Sequence, residues 1–187
     1  MKYLFSLFFV AFASGIVGCQ KTDSTPNGPL TASFQLLNEQ GQEAAVFPQG
    51  RNVVFRFQLT NTSDQDISVQ NPVIDPRDFL EVFSTAEKQS ASLGKPYSGI
   101  FCNYIGGFPY KIPAHQAMTF TIAWVDAPAY PLSFPFCGHA PTTYLPIGHY
   151  RTAFSPAVTW LYSGQAPTTA TTTDFPTVAR EFEVTGR

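Results

Sequence analysis

The chain has 187 residues, a formal net charge of −2 and only 13% charged residues, against 15% aromatic residues. Eighteen Phe and 16 Pro stand out, and nothing in the charge balance suggests nucleic acid, which would call for a basic face. One domain of ordinary size, rich in strand-forming side chains and turn formers, is expected.

In chain order, Lys2 precedes an apolar run from Tyr3 to Val17 that is broken only by Ser6, Ser14 and Gly15. Spanning a bilayer takes about 20 apolar residues, whereas the hydrophobic region of a secretory signal takes roughly 7–15 behind a basic start. The run ends in Ile16-Val17-Gly18-Cys19, where polar sequence begins. These four residues resemble the lipobox of bacterial lipoproteins. That resemblance implies a diacylglyceryl group on Cys19, cleavage before it and acylation of the new amino group. Each buried methylene contributes about 0.8 kcal/mol, so two or three chains on one residue hold it at a membrane. A plain signal peptide with an incidental cysteine, or a short membrane anchor, is the alternative. Residues 1–18 are thus expected to be a signal peptide.

Residues 19–29 read as a flexible tether, polar and carrying Pro26, Gly28 and Pro29. Within it, Asp23-Ser24-Thr25 resembles the three-residue O-glycosylation site of Bacteroidota. Gln20, rather than Asp, follows Cys19, and by the sorting rule of proteobacterial lipoproteins this implies the outer membrane more than the inner one. With Cys19 lipidated, Cys102 and Cys137 remain as an even pair in an exported domain. A disulfide is expected between them, worth roughly 3–4 kcal/mol on the chain-entropy account.

Residues 30–187 form the domain. Ala32, Phe34 and Leu36 alternate with Ser33 and Gln35, and residues 39–42 form a turn. From Asn52 to Thr60 the alternation is cleanest, with Val53, Phe55, Phe57 and Leu59 inward and Arg56, Gln58 and Thr60 outward. A polar turn over 61–66 leads to a short strand at Ile67 and Val69, stopped by Asn71-Pro72. A strand is expected over 78–83, a long polar loop over 84–96, and a strand carrying Cys102 over 99–104. Met118, Phe120, Ile122 and Trp124 alternate with Thr119, Thr121 and Ala123 in another strand. Residues 126–146 hold five prolines and read as an irregular connection pinned by Cys137. Strands over 149–154, 158–162 and 178–184 follow, with a loop over 164–176. The sum is about seven to nine short strands in an all-β, antiparallel immunoglobulin-like sandwich, a barrel being the alternative.

The run from Asn52 to Ser63 resembles the second strand and turn of bacterial immunoglobulin-like domains. Ile112-Pro113-Ala114-His115 resembles the lead-in to a later strand, and Leu145-Pro-Ile-Gly-His-Tyr150 the start of a late one. Together, over roughly residues 50–155, these are similar to the intracellular proteinase inhibitor family of Bacillus. The resemblance implies a β-sandwich acting through loops in a protease cleft, and it carries over no inhibitory residue.

Motifs for nucleophilic hydrolysis, zinc proteolysis, dinucleotide binding and phosphate loops are absent from the sequence. Cys137, His139 and His149 have the chemistry to ligate copper or zinc; the plainer reading is a disulfide cysteine near two loop histidines, and no metal or cofactor is expected. Asp64, Asp66, Asp75, Asp78 and Glu81 form an acidic stretch that suits Ca²⁺ chemistry or, more plainly, turn capping. His115 and Asp126 are a further acid–base combination. Phe108, Tyr110, Tyr130, Phe134, Phe136 and Tyr144 place rings in loops. They are candidates for binding a glycan or peptide, or else a cover for the core. The sequence therefore predicts a membrane-tethered, non-catalytic binding or structural module of the cell envelope, facing periplasm or exterior, with an unnamed protein or glycan partner. A proteinase-inhibitor-like role and a metal or redox role are the alternatives.

Overall fold

A computed structural model describes residues 28–70, 79–85, 91–98, 110–132 and 138–186. The signal stretch, Cys19, Cys102 and Cys137 lie outside the described residues. Among the described residues no helix is long and apolar enough to cross a membrane.

The first sheet has the order β1-β3-β8, from β1 (Leu30–Leu37), β3 (Val54–Asn61) and β8 (Ala117–Ala123). Phe34 faces Phe57 in register, and Phe57 faces Phe120, so the inward residues of the alternation stack on one face. The far face is not wholly polar: Leu37, Val54 and Ala123 are buried there in a small second cluster against Ala127 and Tyr130.

The opposing layer is a long sheet in two pairings. One, of order β2-β12-β9-β5-β6, joins β2 (Val46–Pro48), β5 (Val82–Ser84), β6 (Ala91–Gly94), β9 (Gly148–Phe154) and β12 (Val178–Thr185). The other, of order β11-β10-β4-β7, joins β4 (Ile67–Val69), β7 (Tyr110–Ile112), β10 (Ala157–Tyr162) and β11 (Thr171–Asp174). All pairings are antiparallel except β2 with β12. Pro156 separates β9 from β10, and Pro176 separates β11 from β12; a proline cannot donate to the ladder, so each long strand breaks there and the two pairings continue one another. Three strands on one side, with the central pair of the other side continued from strand to strand, is the immunoglobulin-like sandwich.

Rings fill the space between the layers. Phe154 sits edge-on to Phe34, Phe57 and Phe79 at centroid distances of 5.0, 5.5 and 4.5 Å. Such contacts contribute about 0.5–1.5 kcal/mol each beyond the area they bury. Arg180 of β12 reaches across to donate to the Phe34 carbonyl at 2.8 Å, which blunts the outer edge of β1 with a charge.

Tyr150 closes the corner before β9. Its hydroxyl donates to the Pro146 carbonyl at 2.6 Å, the back-bond of a tyrosine corner. Gly148 is needed beneath the ring, because a Cβ there would meet Oη at 3.2 Å. Two residues on, where antibody domains place a cysteine of their inter-sheet bridge, Thr152 is fully buried and its hydroxyl has no partner. Ring packing joins the layers at this level.

Several expectations need correction. Twelve strand segments are described, more than seven to nine, because prolines and turns divide the long strands. The strand expected over 78–83 is confined to Val82–Ser84, since Leu80 takes φ 55°, a conformation that ends regular pairing. The expected loop over 84–96 contains β6, and that over 164–176 contains a short 3-10 turn and β11. In β11, Thr172 and Thr173 bond across to Thr159 and the Trp160 indole at 3.0 and 2.9 Å. The short β7 was not anticipated, and the strand expected over 99–104 lies outside the described residues.

Burial pushes the Tyr150 phenol above its ordinary value of 10.0. A raised value keeps the neutral phenol favoured in the fold, so this stability is complete below pH 10 and is lost as pH rises through the folded value. Tyr150→Phe is expected to lose about 1 kcal/mol at pH 7, for one hydrogen bond. The gap between the two proteins should narrow above pH 10, as followed by urea denaturation; a pH-independent gap would contradict the assignment.

Candidate functional site

Three segments meet at the end of the first sheet where β8 runs out. Trp124 follows β8 directly: its amide donates to the Val53 carbonyl at 2.9 Å and its indole N–H to the Thr143 carbonyl at 3.2 Å. The second segment, Leu93–Lys95, leaves β6 through Gly94 at φ 95°, where glycine carries no steric penalty. The third, residues 140–146, leads into β9 and is tied down by Tyr150 at Pro146.

Between them lies a groove of about 390 Å³, within the range of small-ligand and side-chain sites. Leu93, Trp124, Pro141, Leu145 and Pro146 supply apolar wall, while Thr142, Thr143, Tyr144 and Lys95 supply polar groups. Leu93 and Tyr144 are 40% and 43% exposed, so both rims of the groove present apolar surface to solvent. Among the described residues the lining holds no carboxylate, imidazole or thiol. An aromatic and apolar wall beside hydroxyls suits binding of a group with one apolar face and hydrogen-bonding edges.

Behind the groove the walls are tied together. Tyr97 and His139 form an antiparallel bridge. The Ser98 amide donates to the Gly138 carbonyl at 2.8 Å, and the Ala140 amide to the Pro96 carbonyl at 3.4 Å. The His139 side chain, 9% exposed, donates from Nδ1 to the same Pro96 carbonyl at 3.1 Å. That bond fixes which nitrogen carries the proton in the neutral ring.

The ring-bearing loops divide by role. Tyr144 lines the groove. Tyr130 instead covers the small cluster at Leu37, Val54 and Ala123, with its hydroxyl 3.4 Å from the Glu39 carbonyl. Tyr110 lies in β7, packed against the main core. Phe108, Phe134 and Phe136 lie outside the described residues. Trp124 and Leu93 were not singled out from the sequence. Trp124 ends an alternating run and reads there as one more inward residue, and Leu93 sits in a polar stretch.

The metal candidates have separate partners. His139 meets Pro96 and Asp126, while His149 Nε2 lies 3.9 Å from Glu183 on the outer face of β9 and β12; Cys137 lies outside the described residues. Among the described residues no three His, Cys, Asp or Glu converge as a metal site. His115 pairs with Asp64 at 2.9 Å, not with Asp126. Asp66 takes the Ala114 amide at 3.0 Å and Lys111 at 2.6 Å, and Glu81 accepts from the Ser92 hydroxyl. Asp75 and Asp78 lie outside the described residues. The described acids of the stretch therefore cap and brace turns.

Lys111 and the Ala114 amide hold the Asp66 carboxyl below its ordinary value of 3.8. A depressed value gives stability that is present above pH 3.8 and is lost as pH falls through the folded value. Asp66→Asn is expected to lower stability at pH 7, and the difference should vanish in acid. Equal stability at pH 7 would contradict this.

No protein-family model and no curated protein matches the chain. Among solved structures it is similar to the ASH / PapD-like domain 7 of human CEP192, at 8% identity and a TM-score of 0.36, over 97% of this chain and 99% of that one. It is also similar to the Northeast Structural Genomics Consortium target SoR45, at 10% identity and a TM-score of 0.31, over 81% and 86%. Likenesses at this level carry no functional argument, and the fold assignment rests on the strand order above.

Proposed function

We propose that this chain is a lipid-anchored protein of the bacterial cell envelope whose sandwich binds a protein or glycan without catalysing a reaction. The observation that carries the reading is Ile16-Val17-Gly18-Cys19 at the boundary between an apolar run and a polar tether. The position of the domain on that tether supports it. Leu30 pairs with Asn61 at one end of the first sheet, whereas Leu37, Val54 and Ala123 line up at the other. Seven steps of about 3.3 Å put the groove roughly 23 Å from the tether end. An anchor on Cys19 then joins the domain at the end opposite the groove, which leaves the groove free to face away from the lipid surface. Binding is supported by an apolar and aromatic wall beside hydroxyl groups. The residue after Cys19 is Gln20, which favours the outer membrane.

The disulfide belongs to the same reading. The bond between Ser98 and Gly138 brings together two segments, each with its cysteine within four residues: Cys102 on one and Cys137 on the other. The segments that resemble the proteinase inhibitor family fold as β3 with its turn, the Asp66-capped turn before β8, and the tyrosine corner. Each serves the sandwich itself, and no observation favours inhibition over another kind of binding.

One substitution tests both parts. Cys19→Ser is expected to move the protein from the detergent phase to the aqueous phase while leaving it folded, and the denatured, unreduced protein should then titrate no free thiol. Retention in the detergent phase would overturn the anchor, and two free thiols would overturn the disulfide.

A further inference from the structure

We propose that the groove is a split strand pairing that takes an extended peptide of a partner protein as an added strand, an inference that rests on the reading of that groove as the binding site. Behind the groove two segments pair antiparallel. The bridge between Tyr97 and His139 and the bonds from Ser98 to Gly138 and from Ala140 to Pro96 share one register. Continued further, that register would set Lys95 opposite Pro141, Gly94 opposite Thr142 and Leu93 opposite Thr143. These residues line the groove instead of pairing with one another. The pairing stops because Pro141 has no N–H to donate and because Gly94, at φ 95°, turns the first segment aside.

Both sides of the split offer main-chain groups. Among the described residues the amides of Thr142, Thr143, Tyr144 and Leu145 make no hydrogen bond. On the other side, β6 is the outermost described strand of its sheet and mostly exposed. An edge strand of this kind presents unpaired N–H and C=O groups in a row. An extended peptide is the matching occupant, because its successive residues direct their N–H and C=O groups to opposite sides. In strand addition the main-chain bonds give affinity, and pockets for alternate side chains give specificity.

The pocket for a side chain is apolar. Trp124 and Leu145, each 4% exposed, lie deepest, and Leu93 and Tyr144 stand at the rims. One large apolar side chain of the peptide fits there. The described lining carries one formal charge, that of Lys95, and no carboxylate, so an acidic neighbour on the peptide is favoured over a basic one. A glycan suits this lining less well. Among the described residues it holds no Asn, Gln, Asp, Glu or Arg, the side chains that offer several polar atoms to adjacent hydroxyls.

The test selects random short peptides, displayed on phage, against the full chain purified in detergent, with a panel of oligosaccharides beside them. An enriched peptide with a large apolar residue next to an acidic one is expected, and its binding should slow amide exchange over residues 142–145. N-methylation at either of two successive peptide residues should weaken binding about fivefold, the scale of one hydrogen bond. Leu93→Ser, at a 40% exposed position, should weaken it about tenfold, the lower end of what burying a leucine contributes. Sensitivity to methylation at alternate residues only would place the peptide on one edge and overturn insertion into the split. Insensitivity at every residue would overturn strand addition altogether. Oligosaccharide binding that Leu93→Ser abolishes, with no peptide enriched, would also overturn it while leaving the binding reading standing. If neither class of probe binds in a way that depends on Leu93, the binding reading fails as well.

Discussion

The contact between the Tyr150 hydroxyl and the Pro146 carbonyl is the constraint on which the functional end of this molecule depends. The connection before β9 is rich in proline and its described residues have little regular pairing, so something must fix where it meets the sheet. Tyr150 does so from inside the core: its ring packs on Phe182 at 5.4 Å, lies over Gly148, and holds the last turn of the connection by its hydroxyl. Leu145 and Pro146 are thereby set as groove wall, and Trp124 fixes Thr143 from the other layer. An irregular segment gains a defined shape because two large side chains of the sandwich each claim one of its carbonyls.

The same economy runs through the core. Charged residues are few and phenylalanines many, and Phe154 meets rings from β1, β3 and the segment before β5 at one point. Thr152, fully buried with an unpartnered hydroxyl, stands where an inter-sheet bridge would otherwise sit. The layers are held by interlocked rings at that level.

Much of the fold was legible because β1, β3, β8, β9 and β12 each have one buried face, and a period of two records that directly in the sequence. β6 and β11 escaped for the opposite reason. Ala91–Gly94 is mostly exposed, and Thr171–Asp174 is held by threonine hydroxyls and backbone pairing, so neither writes an apolar pattern. The groove was only partly legible. Tyr144 was among the candidate rings, but nothing local distinguishes it from Tyr130, which covers core instead. Leu93 and Trp124 join Tyr144 through tertiary approach of three segments, and no spacing within any one of them signals it. The buried, bridging His139 was noticed for its chemistry, while its partners Pro96 and Asp126 became visible only when the segments were brought together.

The proposed anchor on Cys19 would join the sandwich at the end opposite its groove, which makes a simple demand on position. A photoactivatable phenylalanine analogue placed at Tyr144, in cells of the native envelope, tests it most directly. The account predicts a discrete adduct at Tyr144 and none from the same probe at Gln165, an exposed turn at the tether end. An adduct at Gln165 with none at Tyr144 would contradict it.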